Sequence, residues 1–258
     1  MTKTAFVRVT WLFAACAATL AQAADVPALI GWSQRVELGT LVSGIVAKVH
    51  VQPGQTVTKG DELISLDDRG FRSEVQRRLA EYGHAQAVLE EAQREDQRAI
   101  ELYDRTVLSD FERNQALIAL QAARAAAERA RAVLLEARLN LERSVVRAPF
   151  DGLVLGVNAA AGQTVVSDLQ SQPLVTVADS TLLRARAQVD ADQAARLKTG
   201  QALRAMGRGR ELQAAVSFVG LEPVGMAGER PRYELVVDIV TDEQTELRIG
   251  ETVTLELE

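Results

Sequence analysis

The sequence is poor in the residues that cross-link a chain, break its helices or bind metals. Its 258 residues include one cysteine, two histidines and six prolines. A single cysteine excludes an intrachain disulfide and disfavours a structural zinc site. Aromatic residues make up only 4% of the chain. Such a composition favours long helices with small or aliphatic contact residues over one large globular core.

Positive charge is also in short supply. The chain carries 29 Lys+Arg against 35 Asp+Glu, a formal net charge of −6. Proteins that bind nucleic acid need a basic face, and the arginines of the central segment alternate with glutamates, as is typical of a solvated helix. We therefore expect no nucleic-acid partner.

The first 23 residues have the pattern of an export signal peptide. Lys3 and Arg8 precede an apolar run, Val9–Leu20, and Ala21–Ala23 supplies a small-x-small cleavage motif. The run is shorter than the roughly 20 residues of a membrane-spanning helix. Cleavage after the motif would leave a chain without cysteine; the alternative is lipid attachment at Cys16. Both outcomes predict a periplasmic location, the second with an inner-membrane association.

A short internal repeat is the most informative feature. Residues 44–57 read GIVAKVHVQPGQTV and residues 152–165 read GLVLGVNAAAGQTV, with seven of fourteen positions identical. Each copy alternates apolar residues and then reaches a turn at Gly54 or Gly162, which predicts a short hairpin-like β-unit. Because neither unit can bury its apolar face alone, we expect the two to pack face to face. The predicted inward residues are Val46, Val49, Val57 and their counterparts Val154, Val157 and Val165.

About 75 residues with a helical period separate the copies. Contact residues recur at alternating steps of four and three, the heptad pattern of helices that pack together. Two helices of about 35 residues would give an antiparallel hairpin about 50 Å long. The first predicted seam is Val75, Leu79, Tyr82, Gln86, Leu89, Gln93, Asp96, Ile100, Tyr103 and Val107. The second is Ala116, Leu120, Ala123, Ala127, Ala130, Leu134, Ala137, Leu141 and Ser144.

These seams bury little area for their length, because the second is half alanine and the first carries polar residues. Asp96 must be solvated or matched by an arginine such as Arg124 or Arg131. A second stripe on the first helix would be open to neighbouring subunits, unless its alanines are simply good helix formers. Its members are Ala85, Val88, Ala92, Ala99 and Leu102.

The last third of the chain predicts a small β-barrel with one helix. A helix is expected over Asp190–Lys198, with Asp190 as its cap and Gly200 as its stop. We predict a hairpin turn at Gly207–Gly209 and a loop over Gly220–Pro231. The predicted strands are Leu182–Val189, Gln213–Val219, Tyr233–Val240 and Thr252–Leu257.

No catalytic arrangement stands out. His50 is predicted to be an exposed strand residue, and His84 has no second ligand one helical turn away. Met206 and Met226 are predicted in turns or loops, where they give only a weak soft-metal signal. No nucleophile and base are paired in the sequence. We expect no enzyme activity, no cofactor and no bound metal.

Several stretches resemble a known family. The segments are Gly44-Ile45-Val46, Pro53-Gly54-Gln55-Thr56-Val57, Lys59-Gly60-Asp61-Glu62-Leu63 and Val146-Arg147-Ala148-Pro149-Phe150-Asp151-Gly152. They resemble the lipoyl/biotinyl half-motifs of periplasmic adaptor proteins, also called membrane fusion proteins (HlyD/RND-type), of tripartite efflux pumps. Carrier domains bear a modified lysine between the halves, but the connecting segment here has none, so lipoate and biotin are not expected. The half-motif turns are assigned to Gly44, Gly54, Gly60, Gly152 and Gly162.

A second motif concerns the hairpin tip. Arg98, Leu102 and Ser109 have the Arg-x3-Leu-x6-Ser spacing that resembles the motif of adaptors that dock to TolC-like outer-membrane channels. Arg98 and Leu102 lie on one helix face, and Ser109 is predicted to cap the second helix in a capping box with Glu112. The resemblance makes these three the channel-docking residues. The alternative gives them only solvation, packing and capping roles.

The resemblance implies an α+β, multidomain, elongated fold, in which a long antiparallel coiled-coil hairpin is inserted between two lipoyl-like half-motifs and a small β-barrel follows. The implied boundaries are 1–23 for the signal peptide, 35–68 and 145–180 for the split lipoyl-like sandwich, 69–144 for the hairpin, and 24–34 with 181–258 for the barrel. The membrane-proximal domain of larger adaptors is expected to be absent.

The implied function is a periplasmic adaptor that bridges an inner-membrane transporter, of RND type, and a TolC-like channel for efflux of small molecules or metal ions. Several copies, six by family analogy, would form a homo-oligomer. Two alternatives stay open: an adaptor of an ABC-type exporter or type I secretion system, and a structural coiled-coil scaffold without a transport role.

Overall fold

The computed structural model describes residues 24–167, 172–228, 230–240 and 247–257. The predicted signal peptide lies outside them. The described chain divides into two compact units. Described residues within 24–31, 184–240 and 247–257 form the barrel unit, and those within 32–183 form the sandwich–helix unit.

The element order mixes strands and helices throughout. The strands before the long helices are β1 (Ala24–Trp32), β2 (Arg35–Leu38), β3 (Gly44–Val49), β4 (Thr56–Val57) and β5 (Glu62–Leu66). The helices α1 (Arg69–Asp104) and α2 (Asp110–Arg143) follow. Then come β6 (Val145–Arg147), β7 (Gly152–Val157), β8 (Thr164–Val165), β9 (Val175–Asp179), β10 (Leu182–Val189), α3 (Ala191–Arg196), β11 (Ala202–Gly207), β12 (Arg210–Ala227), β13 (Arg230–Val240) and β14 (Thr252–Leu257).

The barrel unit is a closed six-stranded barrel with the order β1-β10-β13-β12-β11-β14, which confirms the predicted barrel. Alternate residues of each strand face its interior; in β10, Leu183, Ala185, Ala187 and Val189 are buried. The predicted helix is also confirmed, because Asp190 caps α3 and accepts a hydrogen bond from the Gln193 backbone N–H at 2.8 Å.

The hairpin turn between β11 and β12 is confirmed, with positive φ at Arg208 and Gly209. The predicted loop over 220–231 is wrong, because β12 and β13 stay paired there, for example Pro223 with Tyr233. Register shifts in this ribbon accommodate the proline, which cannot donate to a regular ladder. Met206 and Met226 accordingly lie in strands β11 and β12, not in turns or loops.

Two four-stranded sheets build the sandwich, with the orders β2-β9-β7-β4 and β6-β5-β3-β8. Both contribute to one buried core, in which Val46, Val154 and Val165 are fully buried and Val57 nearly so. This confirms that the two repeat copies pack together. Val49 and Val157, which were also predicted to face inward, are only partly buried.

The prediction that each copy forms its own hairpin is wrong, because the copies exchange strands. β3 of the first copy pairs with β8 of the second, and β7 of the second pairs with β4 of the first. Val46 donates to the Gln163 carbonyl at 2.8 Å, and its counterpart Val154 donates to the Gln55 carbonyl at 2.9 Å. Each copy therefore places one strand in each sheet, so that its valines reach the shared core from both sides.

The helices α1 and α2 leave and re-enter the sandwich at adjacent strands. β5, which precedes α1, pairs with β6, which follows α2, and the Leu66 backbone N–H donates to the Ser144 carbonyl at 2.8 Å. Farther along, Arg113 of α2 lies beside Tyr103 of α1. The start of α2 contacts the end of α1, and the other two helix ends adjoin the paired strands β5 and β6. The helices are therefore antiparallel.

The second predicted seam is confirmed, because it contains every buried residue of α2: Ala123, Ala127, Leu134 and Ala137. The first is wrong at three of its ten positions. Leu79, Gln93 and Val107 are exposed, and Ala99 is the buried residue of α1. The other seven predicted positions are at least partly buried, and Ala85, Ala92 and Ala99 alternate with them. The seven are Val75, Tyr82, Gln86, Leu89, Asp96, Ile100 and Tyr103.

The physical reason is size matching: small residues of α1 face the alanines of α2 and let the backbones approach closely. Ala92 and Ala99 are therefore not open to neighbouring subunits, whereas Val88 is exposed. Asp96 is half exposed and forms no ion pair with Arg124 or Arg131 in the described chain, so of the two alternatives solvation holds.

Candidate functional site

The three predicted docking residues lie around the connection between α1 and α2. Arg98 lies in the turn before the last turn of α1, and 62% of its side chain is exposed. Its Nη1 donates a hydrogen bond to Glu95 Oε1 at 2.6 Å. Leu102 is half-buried. Ser109 directly precedes α2. The structure thus brings the motif to one end of the helix pair, while its docking role stays a prediction.

Ser109 forms the predicted capping box with Glu112. Its Oγ accepts from the Glu112 backbone N–H at 3.4 Å and donates to Glu112 Oε2 at 2.7 Å, and the Ser109 backbone N–H donates to the same carboxylate at 3.0 Å. These hydrogen bonds hold the pKa of Glu112 below its usual value. A hydroxyl oxygen has two acceptor sites, so one remains for a docking partner after the cap is made.

The connection itself is a defined turn. The Thr106 backbone N–H donates to the Tyr103 carbonyl at 2.8 Å, and the Val107 backbone N–H donates to the Leu102 carbonyl at 3.0 Å. This is a Schellman closure of α1. It places Thr106 at φ 61°, a region that β-branched residues rarely adopt. The turn therefore fixes Leu102 and Ser109 relative to each other at a cost in backbone strain.

A side-chain clamp across the two helix ends was missed by the sequence reasoning. The Arg113 guanidinium lies 5.1 Å from the centroid of the Tyr103 ring, a cation–π distance. A hydrogen bond to the Asp110 carboxylate raises the pKa of the Tyr103 hydroxyl. Tyr103 was assigned to the seam alone; the sequence signal was the placement of Asp110 and Arg113 within one turn of the cap.

Two apolar side chains beside the motif were also missed. Val107 and Phe111 are each 69% exposed. Aromatic residues and arginine are enriched at protein contact surfaces. The sequence signal was their position on either side of Ser109, where a solvated turn would carry polar residues.

The clamp makes a prediction about proton binding. We expect Asp110→Asn to lower the pKa of Tyr103, because the neutral amide no longer disfavours the phenolate. The phenolate absorbance of a chain with Tyr82 and Tyr233 replaced by phenylalanine reports this titration. As the pH rises through the pKa of Tyr103, the hydrogen bond is lost and the Thr106 and Val107 amides should exchange faster.

Asp104→Asn is the matched control, since Asp104 acts on Tyr103 only through its charge. Its effect on the Tyr103 titration should be clearly smaller. Equal shifts for Asp104→Asn and Asp110→Asn would contradict the hydrogen bond.

The five assigned turn glycines fall into two groups. Gly54, Gly60 and Gly162 have φ values of 86°, 94° and 85°, which favour glycine, and they are turn residues as predicted. Gly44 and Gly152 are instead the first residues of β3 and β7. Their need for glycine is steric: a Cβ on Gly152 would lie 2.2 Å from the Ala178 carbonyl oxygen.

The histidine prediction needs one correction. His50 follows β3 rather than lying in it and is half-buried, with its Nε2 3.0 Å from Ser65 Oγ. Among the described residues, no three His, Cys, Asp or Glu side chains cluster as metal ligands would.

No described helix has the length and apolarity to span a membrane.

The structure is a sandwich assembled from two exchanged half-motifs, with a capped helix pair inserted between them. Residues 34–178 match the family model described as the RND MFP (membrane fusion protein), barrel-sandwich hybrid domain. Because the match spans more than half of the chain, the protein belongs to the membrane fusion proteins, the periplasmic adaptors of efflux pumps.

Solved structures share this fold. The membrane fusion protein Spr0693 from Streptococcus pneumoniae R6 has a TM-score of 0.69 at 17% identity, over 91% of this chain and 98% of its own. MacA from Actinobacillus actinomycetemcomitans has a TM-score of 0.65 at 24% identity, over 91% and 78%. A MacA–MexA chimera that contains the Pseudomonas aeruginosa MexA α-hairpin domain has a TM-score of 0.59 at 25% identity, over 91% and 79%.

Proposed function

We propose that this protein bridges an inner-membrane transporter of the RND class and a TolC-like outer-membrane channel in the periplasm, for efflux of small molecules or metal ions. The observation that carries the proposal is the position of Arg98, Leu102 and Ser109 in a chain of the membrane fusion family. All three lie around the connection between α1 and α2, where a Schellman motif ends α1 and Ser109 caps α2.

We propose further that α1 and α2 form a coiled-coil hairpin, and that the domain boundaries follow the inserted half-motifs: 35–68 with 145–180 for the lipoyl-like sandwich, and 69–144 for the hairpin. The alternating contact line of each helix supports this reading. A MacA–MexA chimera with a transplanted α-hairpin domain has the same fold, which supports the hairpin as a separable docking module.

The chemistry of the tip suits a partner that is itself helical. Arg98 forms an exposed ion pair with Glu95, and such pairs contribute little to stability. Its guanidinium is therefore free to exchange Glu95 for a carboxylate or a helix-end carbonyl of the channel. Val107 and Phe111 would lose their water in the same contact, which supplies apolar burial beside the polar anchors.

The RND class is favoured over an ABC-type exporter by the family description that matches the sandwich residues. We propose a homo-oligomer, with six copies by family analogy, because one thin helix pair encloses no path for a substrate. An adaptor of an ABC-type exporter differs in the transporter that it retains and not in the docking tip.

The experiment is affinity purification of the tagged chain from its own cells after mild cross-linking, with the untagged chain as control. We expect an RND transporter and an outer-membrane channel in the eluate, identified by mass spectrometry. Recovery of an ABC transporter in place of the RND protein would contradict the transporter assignment. Recovery of neither a transporter nor a channel would contradict the adaptor function.

A further inference from the structure

A groove of about 530 Å³ lies between α1 and α2. Leu79 and Tyr82 line it from α1, and Leu135 and Arg138 are among the residues that line it from α2. We call it the interhelix groove. Its volume falls within the range of about 300–1,000 Å³ that is usual for small-molecule sites. Such sites combine apolar walls with a few polar groups that orient the ligand, and the interhelix groove has both.

The apolar walls of the interhelix groove are only partly used in packing the two helices. Leu134 is buried, but the neighbouring Leu135 is 57% exposed and Leu79 is 42% exposed. Tyr82 is half-buried, and its hydroxyl accepts a hydrogen bond from the Gln86 side chain at 2.7 Å. The tyrosine hydroxyl therefore has a partner, and its ring serves as an apolar wall. A ligand that covers Leu79 and Leu135 would remove apolar surface from water, which favours binding.

The charged residues of the interhelix groove favour an anion. Arg138 forms no ion pair among the described residues. Arg131 reaches Glu128 only at 3.7 Å, and exposed ion pairs of this kind contribute little, so Arg131 can exchange its partner. Two arginines line the groove against one glutamate, which leaves an excess of positive charge. The guanidinium group suits a carboxylate in particular, because its N–H groups bind both carboxylate oxygens at once.

The spacing of the two arginines sets the shape of the ligand. Arg131 and Arg138 are seven residues apart on α2, which is about two helical turns and about 10.5 Å. Leu135 lies between them, so an apolar body of that length can cover the leucine while its charged end stays at an arginine. The methylene groups of the other arginine can pack against the far end of the same body. The groove thus fits a ligand with a long apolar part and one anionic end.

We propose that the interhelix groove binds an amphipathic carboxylate, that is, an aliphatic chain with one carboxylate at its end, as in a fatty-acid anion. Arg138 holds the carboxylate, and Leu79, Tyr82 and Leu135 cover the aliphatic chain. The site gives the protein a small-molecule contact of its own, apart from its contacts with a transporter and a channel. The proposal goes beyond the proposed function and does not depend on it.

Isothermal titration calorimetry of the chain without its first 23 residues tests the site, with dodecanoate below its micelle concentration as the probe. We expect one dodecanoate to bind per chain. Dodecyltrimethylammonium, which has the same aliphatic chain and the opposite charge, should bind at least about tenfold more weakly. Equal binding of the two amphiphiles would overturn the proposal, because adsorption to apolar surface does not depend on the sign of the charge.

Two pairs of variants locate the binding. Arg138→Glu should weaken dodecanoate binding at least about tenfold, whereas Arg129→Glu, at an exposed position of α2 outside the groove, should change it less than about twofold. Leu135→Ser should also weaken binding about tenfold, and Leu117→Ser, exposed elsewhere on α2, is its control. Circular dichroism of each variant shows that the helices stay folded. Equal weakening by the two arginine variants would overturn the site, since the net charge of the chain would then govern binding.

Two other occupants of the interhelix groove have readouts of their own. Self-association in sedimentation that Leu135→Ser removes, without any binding of dodecanoate, would assign the groove to a second copy and overturn the proposal. Binding to phosphatidylglycerol vesicles that Arg138→Glu removes, without binding of free dodecanoate, would assign it to a membrane surface and overturn the proposal as well. Neither outcome bears on the proposed function, because these experiments contain no transporter and no channel.

Discussion

Gly152→Ala should destabilise the sandwich–helix unit by about 3 kcal/mol and lower its Tm by about 10 °C. Gly152 opens β7 at the point where the strand lies against β9, and an added methyl group would lie 2.2 Å from the Ala178 carbonyl oxygen and 3.4 Å from Phe150. The backbone of β9 is paired on both sides, so it has no room to retreat. Chemical denaturation followed by circular dichroism measures the loss.

Gly156→Ala in the same strand is the matched control. A Cβ at Gly156 would meet no atom within 4 Å, and alanine restricts the unfolded chain more than glycine does. We therefore expect this variant to be neutral or more stable by up to about 1 kcal/mol. If both variants lose the same stability, the approach of β7 to β9 at Gly152 is not as close as described.

Arg98→Asp should weaken binding to the cognate outer-membrane channel by about a hundredfold while leaving thermal unfolding unchanged. The reversal removes the guanidinium fork and places a negative charge where the partner offers acceptors. The affinity of the purified adaptor for the channel in lipid nanodiscs measures the effect. Arg94→Asp, one turn earlier and equally exposed, is the control and should change the affinity by less than about threefold.

The capping role of Ser109 calls for a variant that keeps the cap. Ser109→Arg removes the cap as well as the hydroxyl and so costs about 1 kcal/mol of helix stability. Ser109→Asp retains a good N-cap and changes only what the partner meets. We expect Ser109→Asp to bind the channel more weakly without losing helix content. An unaltered affinity would show that Ser109 caps α2 but does not contact the channel.

The sequence predicted those parts of the fold that depend on local pattern. The identical valines of the two repeat copies indicated a shared core, and Val46 and Val154 are both in it. Ser109 and Asp190 were recognised as caps because a cap depends only on the side chain and the next three residues. The alanine seam of α2 was clear because its buried residues all obey one period.

The remaining features depend on contacts that periodicity does not encode. Strand exchange between the copies depends on pairing between segments far apart in the sequence. The local pattern of Val46 and Val57 fits a hairpin within one copy equally well, so it does not predict the exchange. In α1, mostly larger side chains were assigned to the seam, but small residues such as Ala92 and Ala99 alternate with them in the structure. The Tyr103–Arg113 clamp requires the two helix ends to meet, which the placement of Arg113 near the cap does not reveal by itself.

The proposed function requires that the tip of the helix pair contact the outer-membrane channel. A photoreactive amino acid placed at Val107, which is exposed beside Ser109, tests it in cells that produce the cognate channel; the same group at Ala126, exposed in the middle of α2, is the comparison. We expect a strong adduct with the channel from position 107 and little or none from position 126. Adducts of equal yield from the two positions, or a channel adduct from position 126 alone, would contradict it.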